Sequence, residues 1–407
     1  MARQYHLRSF LRDAPNVFLR RYLAEKDIGL QLDWDALGET EIVPIFDAIQ
    51  EAAPEVRVEC EADFLEIDAM ATEGGAKTMV AEARFRGQDL RGAFQSAEGD
   101  HERAFHYFLK DREGFRKARR CYRADCVPTR SWRKLAGLPE PTPRIDRSSR
   151  QQLGESVAAY FRRKDGRGHG RPQVEHYDSG GKLYWFVYCQ DYAKTSSEFD
   201  EEGTFDWKTR FPAFEIIFVY HRQSRSLDLF APGSSLVTVK ALQQIWADAV
   251  LQGDLGTGAK GGAAYGLEAL KRRGFPFHLD PADGIEEVRL NRLRLSLPRD
   301  KEDEKDVNPR LTVEVNAQGR ADAIYDVLDR TLNEQRVSLD DVRVTQAGFQ
   351  FIFRSHRRGG TEKLNFDVTY PNSCNLKQDP KHEIARGYLR RWGIDVSGST
   401  ERNPEAS

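Results

Sequence analysis

The chain has 407 residues, a formal net charge of −2, and 39% hydrophobic, 31% charged and 11% aromatic residues. The aromatic content excludes an intrinsically disordered protein, and no stretch approaches the roughly 18 apolar residues that a membrane span needs. The N-terminal residues contain no apolar signal-peptide core, so we expect a cytosolic protein without a membrane partner, and the length favours two or three domains.

Residues 1–111 are expected to form a mixed, mostly helical acidic module. Apolar residues with helical spacing predict helices in three segments, 13–26, 41–52 and 101–117. The alternation of Val56, Val58 and Cys60 instead predicts strands over residues 55–68.

Acidic residues recur along this predicted strand segment and shortly after it, at Glu59, Glu61, Asp63, Glu66, Asp68 and Glu82. Converging carboxylates hold the divalent cations of metal-dependent nucleases, which commonly add a lysine near the scissile phosphate. Arg84 stands where that lysine is expected. A divergent metal-dependent nuclease is therefore kept as an alternative function.

Charge is distributed unevenly along the chain. Residues 1–111 carry 13 Lys and Arg against 22 Asp and Glu, whereas residues 112–171 carry 17 against 6. A change of this size predicts either an internal contact between acidic and basic parts or a basic surface for an anionic partner.

The densest basic segment is 112–134, in which nine positive and two negative residues are interleaved with Phe115, Tyr122 and Trp132. Cations neutralise phosphates and aromatic rings stack on bases, so the segment predicts a nucleic-acid contact. The alternative is a helix whose cations pair with the acidic module. The candidate contact residues are Arg116, Lys117, Arg119, Arg120, Arg123, Arg130, Arg133 and Lys134.

Proline-rich text over 136–150 follows this segment and predicts a linker, so residues 112–150 are interpreted as a basic helical connector and linker. Residues 151–270 then read as a β-rich module with hairpins over 174–189 and 214–230. A helix capped by Ser235 follows the second hairpin.

A second β-rich module is predicted over residues 286–396, and residues 397–407 are expected to form a disordered tail. The strands of this second module are placed at 311–315, 349–353 and 364–370. A helix is predicted over 321–332, and a last helix begins at Pro380 and stops at Gly393. The predicted fold class is therefore α+β.

The two β-rich modules share a short pattern at a constant offset of 135 residues, which suggests an internal duplication. Phe214, Ile217, Phe218, His221 and Arg222 match Phe349, Ile352, Phe353, His356 and Arg357. Convergent patterning of apolar hairpins is the alternative explanation. The basic turn of the second hairpin adds three candidate phosphate contacts, Arg354, Arg357 and Arg358.

Known metal and cofactor patterns do not fit. His101, His106, Cys121 and Cys126 are spaced too widely for a zinc site, and the five cysteines do not form a disulfide framework. Lys260 lies between Ala259 and Gly261, which breaks the phosphate-loop pattern. No catalytic residue, metal or cofactor is predicted.

These observations favour a non-enzymatic cytosolic protein that binds the phosphate backbone of nucleic acid through its basic segment. Such a chain would suit an accessory subunit of a multi-gene system, for example in phage defence. A protein–protein adaptor or scaffold subunit that docks on partner subunits without touching nucleic acid is the second hypothesis.

Overall fold

The computed structural model describes most of the chain, and its helices and three antiparallel sheets confirm the α+β class. The residues divide into two compact units, the first formed by 1–125, 177–180 and 193–211 and the second by 126–176, 181–192 and 212–407. The described residues are 5–30, 32–39, 41–127, 132–139, 142–179, 181–199, 203–253, 255, 263–298, 309–315, 320, 322–332, 337–354, 361–377 and 380–396.

The N-terminal part of the first unit is a helical bundle. Its core contains a cluster of aromatic rings in which Phe64 stacks on Phe10 with ring centroids 4.7 Å apart and packs beside Tyr22 at 5.1 Å. The helices are α1 (Leu7–Asp13), α2 (Asn16–Glu25), α3 (Ile42–Glu51), α4 (Pro54–Met70), α5 (Glu73–Phe85), α6 (Arg91–Ser96), α7 (Asp100–Lys110) and α8 (Arg112–Cys126).

The predicted strands over residues 55–68 are wrong, because this segment lies within helix α4. Cys60, Phe64 and Ile67 are spaced by four and three residues and are buried together on one side of the helix. Val58, which belonged to the alternating pattern, is 63% exposed. The two-residue alternation was too short to outweigh the helical spacing that continues to Met70.

A two-stranded antiparallel ribbon also belongs to the first unit, and the sequence patterns did not predict it. Strand β4 (Lys194–Phe199) pairs with β5 (Phe205–Arg210) along its full length. The chain enters the ribbon after β3 (Lys182–Gln190) and leaves it into β6 (Ala213–His221).

The second unit contains two five-stranded sheets. The first has the order β1-β7-β6-β3-β2, and helices α9 (Arg147–Asp165) and α10 (Leu236–Trp246) pack on it. Both predicted hairpins are present, with β2 (Gln173–Ser179) beside β3 and β6 paired with β7 (Ser226–Phe230). Ser235 caps α10 as predicted, since its Oγ accepts the Thr238 N–H. β1 (Trp132–Leu135) forms one edge by pairing with β7.

The second sheet has the order β12-β11-β10-β8-β9 and a core of its own. Its strands are β8 (Ile285–Ser296), β9 (Arg310–Glu314), β10 (Arg343–Arg354), β11 (Thr361–Thr369) and β12 (Ser373–Cys374), and its helices are α11 (Ala323–Thr331) and α12 (Pro380–Arg391). The predicted stop at Gly393 has the left-handed backbone that favours glycine, with φ of 68°.

The two sheets share part of their topology. In each, a central strand, β6 or β10, lies between the strand that follows it in a hairpin and an earlier strand, β3 or β8. The outer strands differ, because β2 precedes β3 in the chain whereas β9 follows β8. The shared arrangement covers three strands of each sheet, and the internal duplication stays a prediction.

None of the helices in the described ranges is long and apolar enough to cross a membrane. The glycine-rich segment 253–262, the charged run 300–306 and the tail 397–407 lie mostly or wholly outside the described residues.

The junction between α4 and α5 supplies a stability prediction. A Cβ atom on Gly75 would lie 2.2 Å from the carbonyl oxygen of Met70, so Gly75→Ala must displace backbone and should cost about 2 kcal/mol or more. Gly92 in α6 has nothing within 4 Å of such an atom, so Gly92→Ala should stabilise by about 0.5–1 kcal/mol. Urea denaturation of both variants measures the difference, and equal midpoints would contradict the packing of this junction.

Candidate anion-binding groove

The basic helix α8 lies against the carboxylates of α4 and α5. Lys117 Nζ is 3.0 Å from Glu82, and Arg119 Nη1 is 3.0 Å from Glu66, which Arg116 also approaches at 3.8 Å. Burial raises the pKa of Glu82, and the hydrogen bond from Lys117 offsets this only in part. The negative and positive parts of the N-terminal sequence thus form ion pairs within the first unit.

Asp63 on α4 receives a second group of cations. Arg112 Nη2 and Tyr22 Oη donate hydrogen bonds to its carboxylate, and Lys26 Nζ lies 3.0 Å away. Burial alone would raise the pKa of Asp63, but the hydrogen bonds from Arg112 and Lys26 outweigh it and leave the pKa below its usual value. The carboxylate therefore stays ionised in the helical core.

The rest of the predicted basic segment has varied placements. Arg120 Nη1 donates to Tyr177 Oη of the same unit, and Arg123 lies in the last turn of α8. Arg133 and Lys134 are on edge strand β1, where burial lowers the pKa of Arg133. Arg130 lies outside the described residues.

The second predicted contact, the basic turn after β10, is described only at its first residue. Arg354 is exposed, with its Nε 3.4 Å from Glu286. Arg357 and Arg358 lie outside the described part of the chain.

A groove in the second unit gathers a different set of arginines. It lies between the first turns of α9 and the chain that leads into β2, and has a volume of about 290 Å³. Arg147, Arg150 and Arg171 line it together with Gln151 and Gln173. A guanidinium group can donate two parallel hydrogen bonds to the oxygens of one phosphate, so this lining suits a phosphate group.

Local sequence explains how the groove forms. Asp146 caps α9 by accepting the Ser149 N–H at 2.9 Å, and hydrogen bonds from Ser148 and Ser149 hold the pKa of Asp146 well below its usual value. Gly154 forms the floor, because a Cβ atom there would lie 2.8 Å from the Val174 side chain. The capped helix and this close approach fix the arginines around one hollow.

No carboxylate in the described part of the chain pairs with a cation of the groove. Among the described residues, Arg147 and Arg171 form no hydrogen bond or ion pair, and Arg150 donates its Nε–H to a backbone carbonyl at 3.4 Å. Glu155 is the one acidic lining residue, and it accepts a hydrogen bond of 2.8 Å from Gln151.

A second hollow in the same unit differs from the groove in the pairing of its cations. It has a volume of about 400 Å³ and is also lined by three cations, but each of these reaches a carboxylate. The pairs are Lys271–Glu268 at 3.0 Å, Arg272–Asp340 at 2.6 Å and Arg273–Asp326 at 2.6 Å. Its positive charge is compensated within the protein.

Sequence reasoning missed the arginine groove. Arg147, Arg150 and Arg171 lie within the basic stretch 112–171, but the proline-rich pattern assigned Arg147 and Arg150 to a linker, and no motif singled out Arg171. The available signal was the i, i+3 spacing of Arg147 and Arg150 directly after an Asp cap. Arg171 joins them through tertiary packing.

The patterns weighed for metal chemistry fall in separate places. His101 Nε2 lies 3.0 Å from Asp68, and Cys121 is buried in α8. The acidic residues of 59–68 are on helix α4, which removes the strand geometry that motivated the nuclease hypothesis. Within the described ranges, no group of three or more His, Cys, Asp or Glu side chains could hold a metal ion.

The junction of the two sheets contains charged groups that are closed to ligands. Lys134 on β1 donates from its backbone N to Asn372 at 2.9 Å, and its Nζ is 2.9 Å from the nearly inaccessible carboxylate of Asp395. On β7, Asp228 Oδ2 lies 2.8 Å from His221 Nε2. These contacts stabilise the junction, because a buried charge without its partner is costly.

The Asp228 carboxylate supplies a pH-dependent prediction. Burial alone would raise its pKa, but His221, Lys134 and Arg386 outweigh burial and hold the pKa well below its usual value. Because the pKa is lower in the folded state than in the unfolded state, the ionised carboxylate stabilises the fold at pH values above the unfolded-state pKa of about 3.9. This stabilisation is lost progressively as the pH falls below that value.

We therefore expect Asp228→Asn to be less stable than wild type at pH 7 by on the order of 2 kcal/mol. The difference should shrink when urea denaturation is repeated below about pH 4. Asp340→Asn, which removes an exposed ion pair with Arg272, is the control and should have a much smaller effect. A pH-independent difference for Asp228→Asn would contradict the assignment.

Comparison of the sequence with protein-family models gave no match, and comparison with curated proteins found no significantly similar sequence.

Proposed function

We propose that the protein binds the phosphate backbone of a nucleic acid, with the groove between α9 and β2 as the principal contact. The observation that carries this proposal is the set of arginines 147, 150 and 171, which surround one hollow without carboxylate partners among the described residues. Phosphate contacts of this kind provide affinity without sequence specificity.

The shape of the positive surface supports a polymer rather than a small anion. The groove is open, and Arg147, Gln151, Glu155 and Arg171 at its rim are exposed. Arg162 lies on nearly the same side of α9 as Gln151, about 17 Å further along the helix. An extended polyanion can contact both ends of this surface, whereas a single phosphate occupies one.

The ion pairs of α8 change the part that the basic segment plays in this proposal. Arg119 and Lys117 are held by Glu66 and Glu82, so a phosphate would have to displace an existing partner. Arg147 and Arg171 carry no such cost. We therefore place α8 and the turn at Arg354 as secondary contacts.

The test is the binding of labelled double- and single-stranded DNA and RNA over a series of salt concentrations. Wild type should show an affinity that falls linearly on a log–log plot against salt. Arg147→Ala/Arg171→Ala removes two phosphate contacts and should reduce the slope for duplex DNA by about 1.8.

Arg272→Ala/Arg273→Ala is the matched control, because it removes two arginines that line the other hollow and are paired with carboxylates. It should leave the slope unchanged. Loss of binding in Arg116→Ala/Arg119→Ala with full binding in the groove variant would move the site to α8. Absence of binding by wild type at low salt would contradict the proposed function itself.

A further inference from the structure

The β4–β5 ribbon has an apolar face that is open to solvent. The strand register places Phe199 opposite Phe205 and Ser197 opposite Trp207 on one side of the ribbon. Phe199 is 72% exposed, Phe205 is 52% exposed and Trp207 is 64% exposed. They pack on one another, with ring centroids 5.6 and 5.8 Å apart.

The opposite side of the ribbon carries its charges. Because side chains alternate along a strand, Lys194, Glu198 and Asp206 share that side with Lys208 and Arg210. Arg210 Nη2 lies 2.5 Å from Glu198. The ribbon is therefore amphipathic, with its apolar side left uncovered.

A ribbon of this kind needs a covering layer. Two-stranded hairpins are marginally stable in water, and soluble proteins rarely leave a cluster of large aromatic rings on the surface. The side chains of the charged side can be hydrated, so the aromatic side is the one that a partner would cover.

We propose that the aromatic side of this ribbon binds the same side of a second copy of the chain. A two-fold axis relates the two copies, so that their ribbons lie antiparallel. The aromatic side has no charged residue, and Thr195, Ser197 and Thr209 complete it, so self-association brings no like charges together.

The charge of this surface disfavours nucleic acid as the occupant. The aromatic side lacks the cations that hold a phosphate backbone over stacked bases. Residues 194–210 also carry three basic and five acidic residues in the sequence. An uncharged partner surface matches the aromatic side better, and the same surface of a second copy supplies one.

The available area is sufficient for a weak dimer. The three exposed rings and Phe211, which follows β5 and is 64% exposed, offer about 500 Å² per copy. Two copies would bury about 1,000 Å², which is near the lower limit for a specific interface. We therefore expect weak, concentration-dependent association rather than a permanent dimer.

Sedimentation equilibrium over a concentration series tests this proposal. Wild type should associate to a dimer, and Phe199→Ser/Trp207→Ser should raise the dissociation constant by about tenfold or more. Lys208→Ser changes the charged side of the same ribbon and should leave the constant within about twofold. Unchanged thermal unfolding of the first variant excludes a loss of folding as the cause, since its rings are exposed.

Cross-linking gives a second test that does not depend on removing the rings. Ser197 lies near the middle of β4 on the aromatic side, close to the proposed axis, whereas Ser196 points to the charged side. In a background with the exposed Cys126 changed to Ser, a bismaleimide that spans about 10 Å, the usual separation of packed sheets, should link Ser197→Cys between two copies and should not link Ser196→Cys.

Three results would overturn the proposal. The first is a monomer at all concentrations, and the second is a dimer unaffected by Phe199→Ser/Trp207→Ser. The third is a monomer whose affinity for single-stranded oligonucleotides falls in that variant, which would assign the rings to base stacking. None of these outcomes depends on the arginine groove, whose own variants test it separately.

Discussion

The contact of helix α8 with the carboxylates of α4 and α5 determines how positive charge is presented by this protein. Asp63, Glu66 and Glu82 hold Arg112, Arg119 and Lys117 in ion pairs that are wholly or partly buried. Breaking a buried pair leaves an uncompensated charge, so these cations are committed to the fold of the first unit. The charge of these three cations is therefore compensated within the protein.

The same distinction between compensated and uncompensated charge applies in the second unit. Lys134 and Asp395 lie nearly inaccessible at the junction of the two sheets and stabilise it. Arg147 and Arg171 instead surround an open groove without a carboxylate partner in the described chain. Exposed guanidinium groups that are held near one another and lack a partner are the ones able to bind an external phosphate.

Under the two proposals, the groove and the ribbon would reinforce each other. Phosphate contacts in one groove are few, so the affinity of a single copy would be modest and strongly dependent on salt. A dimer formed through the β4–β5 ribbon would carry two grooves, and one long polyanion that reaches both would bind with a raised effective concentration. Weak self-association would then couple protein concentration to nucleic-acid binding.

Elements with local signals could be predicted from the order of residues alone. The hairpins at 174–189 and 214–230, the cap of α10 at Ser235 and the stop at Gly393 follow from strand periodicity, a side-chain acceptor and a left-handed residue. The order of residues also shows that an acidic region precedes a basic one. The error at 55–68 arose where a brief alternation competed with helical spacing.

The partners of the basic side chains depend on contacts between residues that are distant in the sequence. Whether the cations of α8 meet phosphates or Glu66 and Glu82 depends on the packing of distant helices, which charge counts do not encode. Arg171 becomes a neighbour of Arg147 because Gly154 lets the chain before β2 approach α9. The sequence fixes which side chains exist and their local periodicity, whereas burial and the choice of partner are properties of the folded surface.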